Sequence, residues 1–302
     1  MSDNKCPVCG DSKKINLLCN TNTFDIFKCG ACGADFVFPM PSAEALKSYY
    51  DREAWFEGGE PGGYKNYDQQ TAWSVDAIKP VFDRFQGASG LSVLDIGCGY
   101  GMHLELAANM GWKCFGVEVS DHARKIAKHR LGGKAYIVES TSDLIPHEFD
   151  LVLILDVIEH LPSPYTLLYS LFSIGAITSK TRIVISTPNA GSVDAQNNPA
   201  EWAYRHPPSH LVYYSASTLR FLLEKLHFSD VKVAGVSPLE LQSGEPQGSE
   251  NHAGYAGLWA TASGSDFTEF MRERYVPGTW SKIAEYEHLP RYQLAGRDVT
   301  GK

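Results

Sequence analysis

Two C-x-x-C pairs near the N-terminus have the residue types and spacing of a metal site. Cys6 with Cys9 and Cys29 with Cys32 are separated by 19 residues, and a glycine follows each pair. Each such turn directs two thiolates towards one centre, so two turns complete a closed tetrahedral set, which is the structural kind of zinc site. We predict a zinc ribbon over residues 1–40, because a piece of this length cannot build an adequate core without the metal. The alternative is a disulfide or free thiols, which an odd total of seven cysteines in a cytosolic protein disfavours.

A glycine-rich turn follows an apolar segment further along the chain. Gly97, Gly99 and Gly101 form a G-x-G-x-G pattern, which lets the backbone turn sharply and approach a ligand closely. A dinucleotide fingerprint would place its third glycine one position later, where this chain has Met102. The acid before the turn, Asp95, suits a cationic, amine-bearing ligand better than a pyrophosphate, because opposite charges attract at short range. S-adenosylmethionine is such a ligand, since it carries an α-amine and a sulfonium.

The segment 93–101, V-L-D-I-G-C-G-Y-G, resembles the first motif of the class I S-adenosylmethionine-dependent methyltransferases. Three later segments also resemble that family, in the family's order. They are the end of the second strand at residues 116–120, the fourth strand and the turn after it at 149–161, and the fifth strand at 183–189. The resemblance implies that Glu118, which ends the second strand about 20 residues after the first glycine, binds both ribose hydroxyls. It also implies a cofactor site that includes Asp95, Gly97, Cys98, Gly99, Gly101, Glu118, Asp143 near the adenine, and Asp156.

Each of these features has a simpler interpretation when it is taken alone. The glycines could form a tight turn in any α/β domain, and Glu118 could be a solvated strand end. Four matches in the family's order argue against both interpretations.

Strands and helices alternate from residue 91 onward, as in a doubly wound α/β fold. We predict a Rossmann-like seven-stranded sheet of the class I methyltransferase type, whose last two strands form a hairpin, with strands near residues 91–95, 113–118, 134–138, 149–155, 182–187, 230–236 and 254–262. We predict four parts along the chain. A zinc ribbon covers residues 1–40, and a helical segment that could fold over the cofactor as a lid covers residues 41–88. The S-adenosylmethionine-binding methyltransferase domain covers residues 89–263, and a C-terminal extension covers residues 264–302.

Three histidines are candidates for the base that methyl transfer to a hydroxyl requires. His160 follows the fourth predicted strand, and His206 and His210 lie in the long loop after the fifth. Asp156, Glu159 and His160 would share one face of a helical turn and could hold a hard divalent ion. Similar E-x-x-E-H groups bind a metal in ubiquinone-pathway O-methyltransferases and in small-RNA 2′-O-methyltransferases. The small-RNA enzymes add a histidine from a later loop. This chain departs from the pattern, because its first acid is the aspartate Asp156. The alternative is that His160 only caps or packs the turn, and that the loop histidines are solvated beside a rigid proline turn.

The overall composition favours a globular enzyme of the cytoplasm. Apolar residues make up 43% of the 302 positions, which is enough for a sizeable core. A formal net charge of −8 and the absence of a lysine-rich run disfavour a nucleic-acid partner, because that affinity comes largely from phosphate neutralisation. The polar N-terminus has no signal or transit features, and the longest apolar run, residues 151–155, is too short to span a bilayer.

The expected function is methylation by S-adenosylmethionine of a hydroxyl on a small-molecule or sugar-containing acceptor, with no membrane partner. C- or N-methylation of a natural product or nucleotide sugar remains open, because the need for proton removal differs only subtly between these reactions. A module without catalysis, which keeps the cofactor as a sensor or docks on nucleic acid through the ribbon, is the alternative from another class.

Overall fold

The computed structural model describes residues 5–21, 24–58, 63–235 and 257–264. Its N-terminal elements are β1 (Ile15–Thr21), β2 (Phe24–Cys29), β3 (Asp35–Phe38), α1 (Ala43–Tyr50), α2 (Glu53–Glu57) and α3 (Tyr67–Asp83). The elements that follow are β4 (Ser92–Ile96), α4 (Met102–Asn109), β5 (Lys113–Val117), α5 (Asp121–Leu131), β6 (Ala135–Val138), β7 (Leu151–Leu155), α6 (Pro164–Ser173), β8 (Arg182–Pro188), α7 (Val193–Asn197), β9 (Val212–Tyr213), α8 (Ala216–Lys225), β10 (Ser229–Gly235) and β11 (Gly257–Ser263).

Seven strands form the larger sheet, in the order β10-β11-β8-β7-β4-β5-β6. Strands β4 to β8 run parallel, whereas β11 pairs antiparallel with both β8 and β10. Every residue of β4 and β7 is buried, because helices cover both faces of the sheet. The predicted seven-stranded sheet is confirmed. Two predicted parts lie outside the described residues. They are residues 254–256 of the last predicted strand and the whole predicted extension after Gly264.

Alternate side chains of the central strands pack into two hydrophobic clusters, one on each face of the sheet. Leu94 and Val152 join a cluster that includes side chains from α6, α8 and the N-terminal strands. Val93 and Leu151 join the other cluster, together with α4 and buried residues of α3 such as Ile78. The helix α3 is therefore part of the core, although its residues fall within the segment that we predicted as a lid.

Four strands form the smaller sheet, in the order β1-β2-β3-β9. The strands β1 to β3 belong to the segment predicted as a zinc ribbon, whereas β9 comes from the loop after β8 and pairs antiparallel with β3. The ribbon segment is therefore joined to the rest of the chain by backbone hydrogen bonds. Within the described ranges, no helix combines the length and the apolar character needed to cross a membrane.

Candidate active site

The glycine turn between β4 and α4 is closely packed on both sides. Gly97 and Gly99 have φ values of 70° and 50°, in the left-handed region that residues with a side chain rarely adopt. A Cβ on Gly97 would overlap a methyl group of Val157, and one on Gly99 would overlap the hydroxyl of Tyr67. The absence of side chains thus brings the backbone of the turn to the surface of a pocket.

Glu118, directly after β5, is buried and hydrogen-bonded to the glycine turn. Its Oε2 accepts a hydrogen bond from the backbone N–H of Gly99 at 2.9 Å, and its Oε1 accepts one from the N–H of Ser120 at 2.8 Å. Burial raises the pKa of Glu118, whereas the two N–H donors favour the charged form. Each carboxylate oxygen has a second lone pair, so Glu118 can also accept hydrogen bonds from ribose hydroxyls.

Asp95, the penultimate residue of β4, is a buried carboxylate behind the pocket wall. It is 1% exposed, and its Oδ2 has no hydrogen-bond partner in the described part of the chain. This oxygen lies 3.4 Å from Nδ1 of His103, whose Nε2 lies 2.9 Å from the hydroxyl of Ser74. His103 lines the pocket, and the sequence analysis missed it, because one histidine in the first turn of a helix has no distinctive pattern.

The pocket lies at the carboxyl ends of β4, β5 and β7, which is the usual ligand position in a doubly wound sheet. The glycine turn and the strand ends form one side, and aromatic residues of α1 to α3 and the segment between them form the other. Its lining consists of Tyr50, Trp55, Phe56, Tyr64, Tyr67, Thr71, Ser74, Gly97, Gly99, His103, Glu118, Val119, Leu155, Asp156, Val157, His160 and Leu161. Two features of this lining fit S-adenosylmethionine: glycines at which a Cβ would be obstructed, and the buried carboxylate of Glu118 with free lone pairs.

Asp156 lines this pocket in a strained conformation. Its φ is 51°, which is uncommon for a residue with a side chain. The hydroxyl of Ser186 donates to its Oδ1 at 2.9 Å, and the backbone N–H of Asp156 donates to the carbonyl of Ser186 at 3.1 Å. Burial raises the pKa of Asp156. The side chain is therefore held at the pocket by the neighbouring strand β8.

His160 and His210 lie side by side with defined ring orientations. Their ring centroids are 4.8 Å apart. Nδ1 of His160 lies 2.8 Å from the carbonyl of Ser209, and Nδ1 of His210 lies 2.7 Å from the carbonyl of Tyr204. The hydroxyl of Tyr50 lies 3.0 Å from Nδ1 of His160 and donates to the same carbonyl of Ser209 at 2.8 Å. Because a carbonyl oxygen only accepts, we assign the proton of each ring to Nδ1, which leaves the lone pair on Nε2. Burial lowers the pKa of both rings, to about 4 for His160, so both are neutral near pH 7.

Glu159 completes a cluster with these two histidines. The three residues each offer a ligand atom, and these atoms lie within 4.8 Å of one another. Glu159 is 2% exposed, its Oε2 has no hydrogen-bond partner among the described residues, and burial raises its pKa. The cluster differs from the predicted set, because His210 takes the place of Asp156. Residues 158–160 form a single 3-10 turn after the left-handed Asp156, so the α-helical spacing that we assumed does not apply.

Six predicted site residues are not among the described residues that line the pocket: Asp95, Cys98, Gly101, Asp143, His206 and His210. His206 contacts the far side of His210, with ring centroids 5.7 Å apart. Cys98 is a buried thiol, and a Cβ on Gly101 would contact α5, so both residues have packing roles. Asp143 is exposed, and its carboxylate accepts the backbone N–H of Ser140 at 3.2 Å. Their contacts with a cofactor stay predictions.

The four cysteines of the two C-x-x-C pairs converge as predicted. Their sulfur atoms lie within 4.8 Å of one another, with 3.5 Å between Cys6 and Cys32 and between Cys9 and Cys29. None of them is in a disulfide. Four thiols around one centre fit a tetrahedral zinc ion.

Comparisons with known proteins agree with this geometry. A family model described as Methyltransferase domain matches residues 67–233. The ubiquinone biosynthesis O-methyltransferase of Nitrosospira multiformis is 35% identical over 89 residues, which are 27% of this chain and 37% of that protein. The enzyme of the same name from Idiomarina loihiensis is 26% identical over 163 residues, which are 50% and 66% of the two chains. The chain thus spans less than two thirds of the length of these curated relatives.

Two solved structures with a similar fold contain S-adenosylhomocysteine. The magnesium protoporphyrin IX methyltransferase of Synechocystis aligns with a TM-score of 0.51 and 15% identity, over 74% of this chain and all of that chain. A plantazolicin methyltransferase aligns with a TM-score of 0.50 and 16% identity, over 73% and 96%. The fold, the cofactor-type pocket and the family model, which matches more than half of the chain, lead to one conclusion: the chain belongs to the methyltransferase domain family, within the class I S-adenosylmethionine-dependent methyltransferases.

Proposed function

We propose that this chain transfers a methyl group from S-adenosylmethionine to a hydroxyl of a small-molecule or sugar-containing acceptor. The observation that carries the proposal is the position of the His160 imidazole, which lines the same pocket as Gly97 and Glu118. Burial lowers the pKa of this ring and so favours its neutral form. A neutral imidazole at this position can accept, at Nε2, the proton that a hydroxyl loses when its oxygen attacks the methyl carbon. The names of the curated relatives, which are O-methyltransferases of ubiquinone biosynthesis, agree with methylation of an oxygen.

The remaining pocket residues bind and orient the cofactor in this proposal. S-adenosylmethionine supplies the electrophilic methyl group when it is bound. Glu118 accepts hydrogen bonds from the ribose hydroxyls. The buried carboxylate of Asp95, behind the pocket wall beside His103, attracts the amine by its charge. The aromatic residues opposite the glycine turn, among them Tyr64 and Tyr67, exclude water from the pocket.

A divalent cation is the second candidate occupant of the histidine cluster. The candidate ligands are two imidazole nitrogens with free lone pairs, from His160 and His210, and the Oε2 of Glu159, which has no hydrogen-bond partner among the described residues. Transition metals accept such a ligand set. A cation held there would lower the pKa of an acceptor hydroxyl and replace the imidazole as the activating group. A structural zinc ion in the four-cysteine site is part of the same proposal, and it serves folding.

The test uses a panel of phenols, catechols and sugars with a trideuteromethyl cofactor. Mass spectrometry and NMR of the product are expected to place the label on oxygen. His160→Gln is expected to lower kcat by about 100-fold or more and to leave cofactor affinity unchanged, because it removes the proposed base. His210→Gln is also expected to lower kcat, because its ring packs against that of His160 and belongs to the candidate cation site. His129→Gln, at an exposed position on α5, is the matched control.

Chelation separates the two mechanisms of activation. Activity that survives removal of metal from all but the four-cysteine site supports the imidazole base, and activity that returns with added Mn²⁺ or Mg²⁺ supports the cation. A label on carbon or nitrogen, or full turnover by both histidine variants, would refute the proposal.

A further inference from the structure

A continuous run of backbone hydrogen bonds connects the ribbon segment to the histidine cluster. The strand β3 of the ribbon pairs with β9, which lies in the histidine loop, defined here as residues 204–214. The N–H of Val37 donates to the carbonyl of Leu211 at 2.9 Å, and the N–H of Leu211 donates to the carbonyl of Glu159 at 2.7 Å. One residue of the loop thus links the ribbon to the turn that holds Glu159.

A buried ion pair forms a second link between the ribbon and the loop. Asp35 in β3 and Arg205 in the histidine loop have side chains that are 2% and 0% exposed, with an N–O distance of 3.1 Å. The Arg205 guanidinium lies 4.5 Å from the ring centroid of Tyr213, and its Nε and Nη1 have no hydrogen-bond partner among the described residues. Asp35 therefore supplies the counter-charge for a cation that is enclosed by protein.

Arg205 directly follows the residue that orients His210. The carbonyl of Tyr204 accepts the hydrogen bond from Nδ1 of His210, and the peptide bond between Tyr204 and Arg205 includes that carbonyl. Any displacement of Arg205 therefore moves the group that fixes the tautomer and the direction of the imidazole ring.

The metal-binding turns themselves are held against the methyltransferase core. The hydroxyl of Thr218 donates to the carbonyl of Cys32 at 3.0 Å, and Nζ of Lys225 donates to the carbonyl of Cys9 at 3.2 Å. Both donors are on α8. Asp35 lies only three positions after Cys32, so the turn that would hold zinc also sets the start of β3.

We infer that the ribbon is a positioning element for methyl transfer, in which Asp35 fixes Arg205 and Arg205 fixes the carbonyl that orients His210. This inference rests on the proposed function, since it requires that His210 support the activating group, either by packing against the His160 ring or as a ligand of the cation. A displacement of the activating group by ~1 Å costs about 100-fold in rate. Loss of Asp35 leaves a buried guanidinium without its counter-charge, and the loop moves to bring that charge to water.

The experiment compares Asp35→Asn with the wild type as full-length, zinc-loaded protein. The expected result is a fall in kcat of about 100-fold, while the zinc content and the calorimetric Kd for S-adenosylmethionine stay unchanged. In ¹⁵N-histidine-labelled protein, the Nδ1–H resonance of His210, assigned with His210→Gln, is expected to shift or exchange with solvent. Lys28→Met is the matched control, because it removes the half-exposed partner of Asp35, 3.2 Å away, and leaves Arg205 paired.

A second variant keeps the inference testable if Asp35→Asn does not fold. Asp35→Asn combined with Arg205→Met removes both charges, which buried pairs commonly tolerate. The double variant also lacks the link that holds residue 205 to β3, so it is still expected to turn over more slowly than the wild type and to show a displaced His210 signal. Wild-type kcat in either folded variant, or an unchanged His210 resonance, would overturn the inference. Absence of turnover in the wild type would instead contradict the proposed function, and the resonance would still report whether the ribbon positions the ring.

Discussion

Glu118→Gln tests the cofactor site most directly, because its effect can be worked out from two hydrogen bonds. The carboxylate accepts the backbone N–H groups of Gly99 and Ser120 through different oxygens. An amide keeps one acceptor and turns an NH₂ group towards the other N–H. One buried donor is then unpaired, at a cost of about 1–3 kcal/mol of stability. Relief from burying a charge offsets part of this cost, because burial raises the pKa of Glu118.

Cofactor affinity should fall more than stability does. A hydrogen bond from a ribose hydroxyl to a charged acceptor contributes about 1.5–3 kcal/mol, so its loss raises Kd by roughly 10- to 100-fold. Calorimetric titration with S-adenosylmethionine measures Kd, and urea unfolding of the cofactor-free protein measures stability. Glu139→Gln is the control, because Glu139 lies on the surface after the next strand, β6, and pairs with Lys47 and Arg124. Unchanged affinity in Glu118→Gln, or an equal loss in Glu139→Gln, would refute the assignment.

Two further predictions concern the metal and the histidines. Cys9→Ser should lower the zinc content from about one ion per chain to nearly none and lower the unfolding temperature. The control is Cys19→Ser, in β1 outside the cluster, which should keep the metal. Retention of zinc by Cys9→Ser would contradict the assignment of the zinc site. Burial lowers the pKa of His160 to about 4, and a base is active only when it is unprotonated. We therefore expect kcat/KM to stay constant from neutral pH down to about pH 5 and to fall at lower pH. An acid limb near the ordinary histidine pKa of 6.5, lost in His160→Gln, would show that the ring is solvated instead.

The sequence by itself determined the features that local physics controls. The alternation of strands and helices predicted the seven-stranded sheet, because the period of buried residues is set within each element. The glycine turn and the acid of Glu118 could be placed at its edge, since the carboxyl ends of parallel strands lie together. The two C-x-x-C pairs converge because each turn is itself short enough to aim both thiols.

Only the tertiary structure decided which residues join His160 in the histidine cluster. His210 joins His160 and Glu159 because β9 extends the ribbon sheet, and the ion pair of Asp35 with Arg205 spans 170 positions of sequence. Asp156 is not in the group of candidate ligands, and it precedes the 3-10 turn of Glu159 and His160 instead of sharing a helix with them, which the spacing of polar residues does not reveal. Contacts between distant segments depend on how whole elements pack, and this packing is the sum of many small apolar contacts that no short motif records.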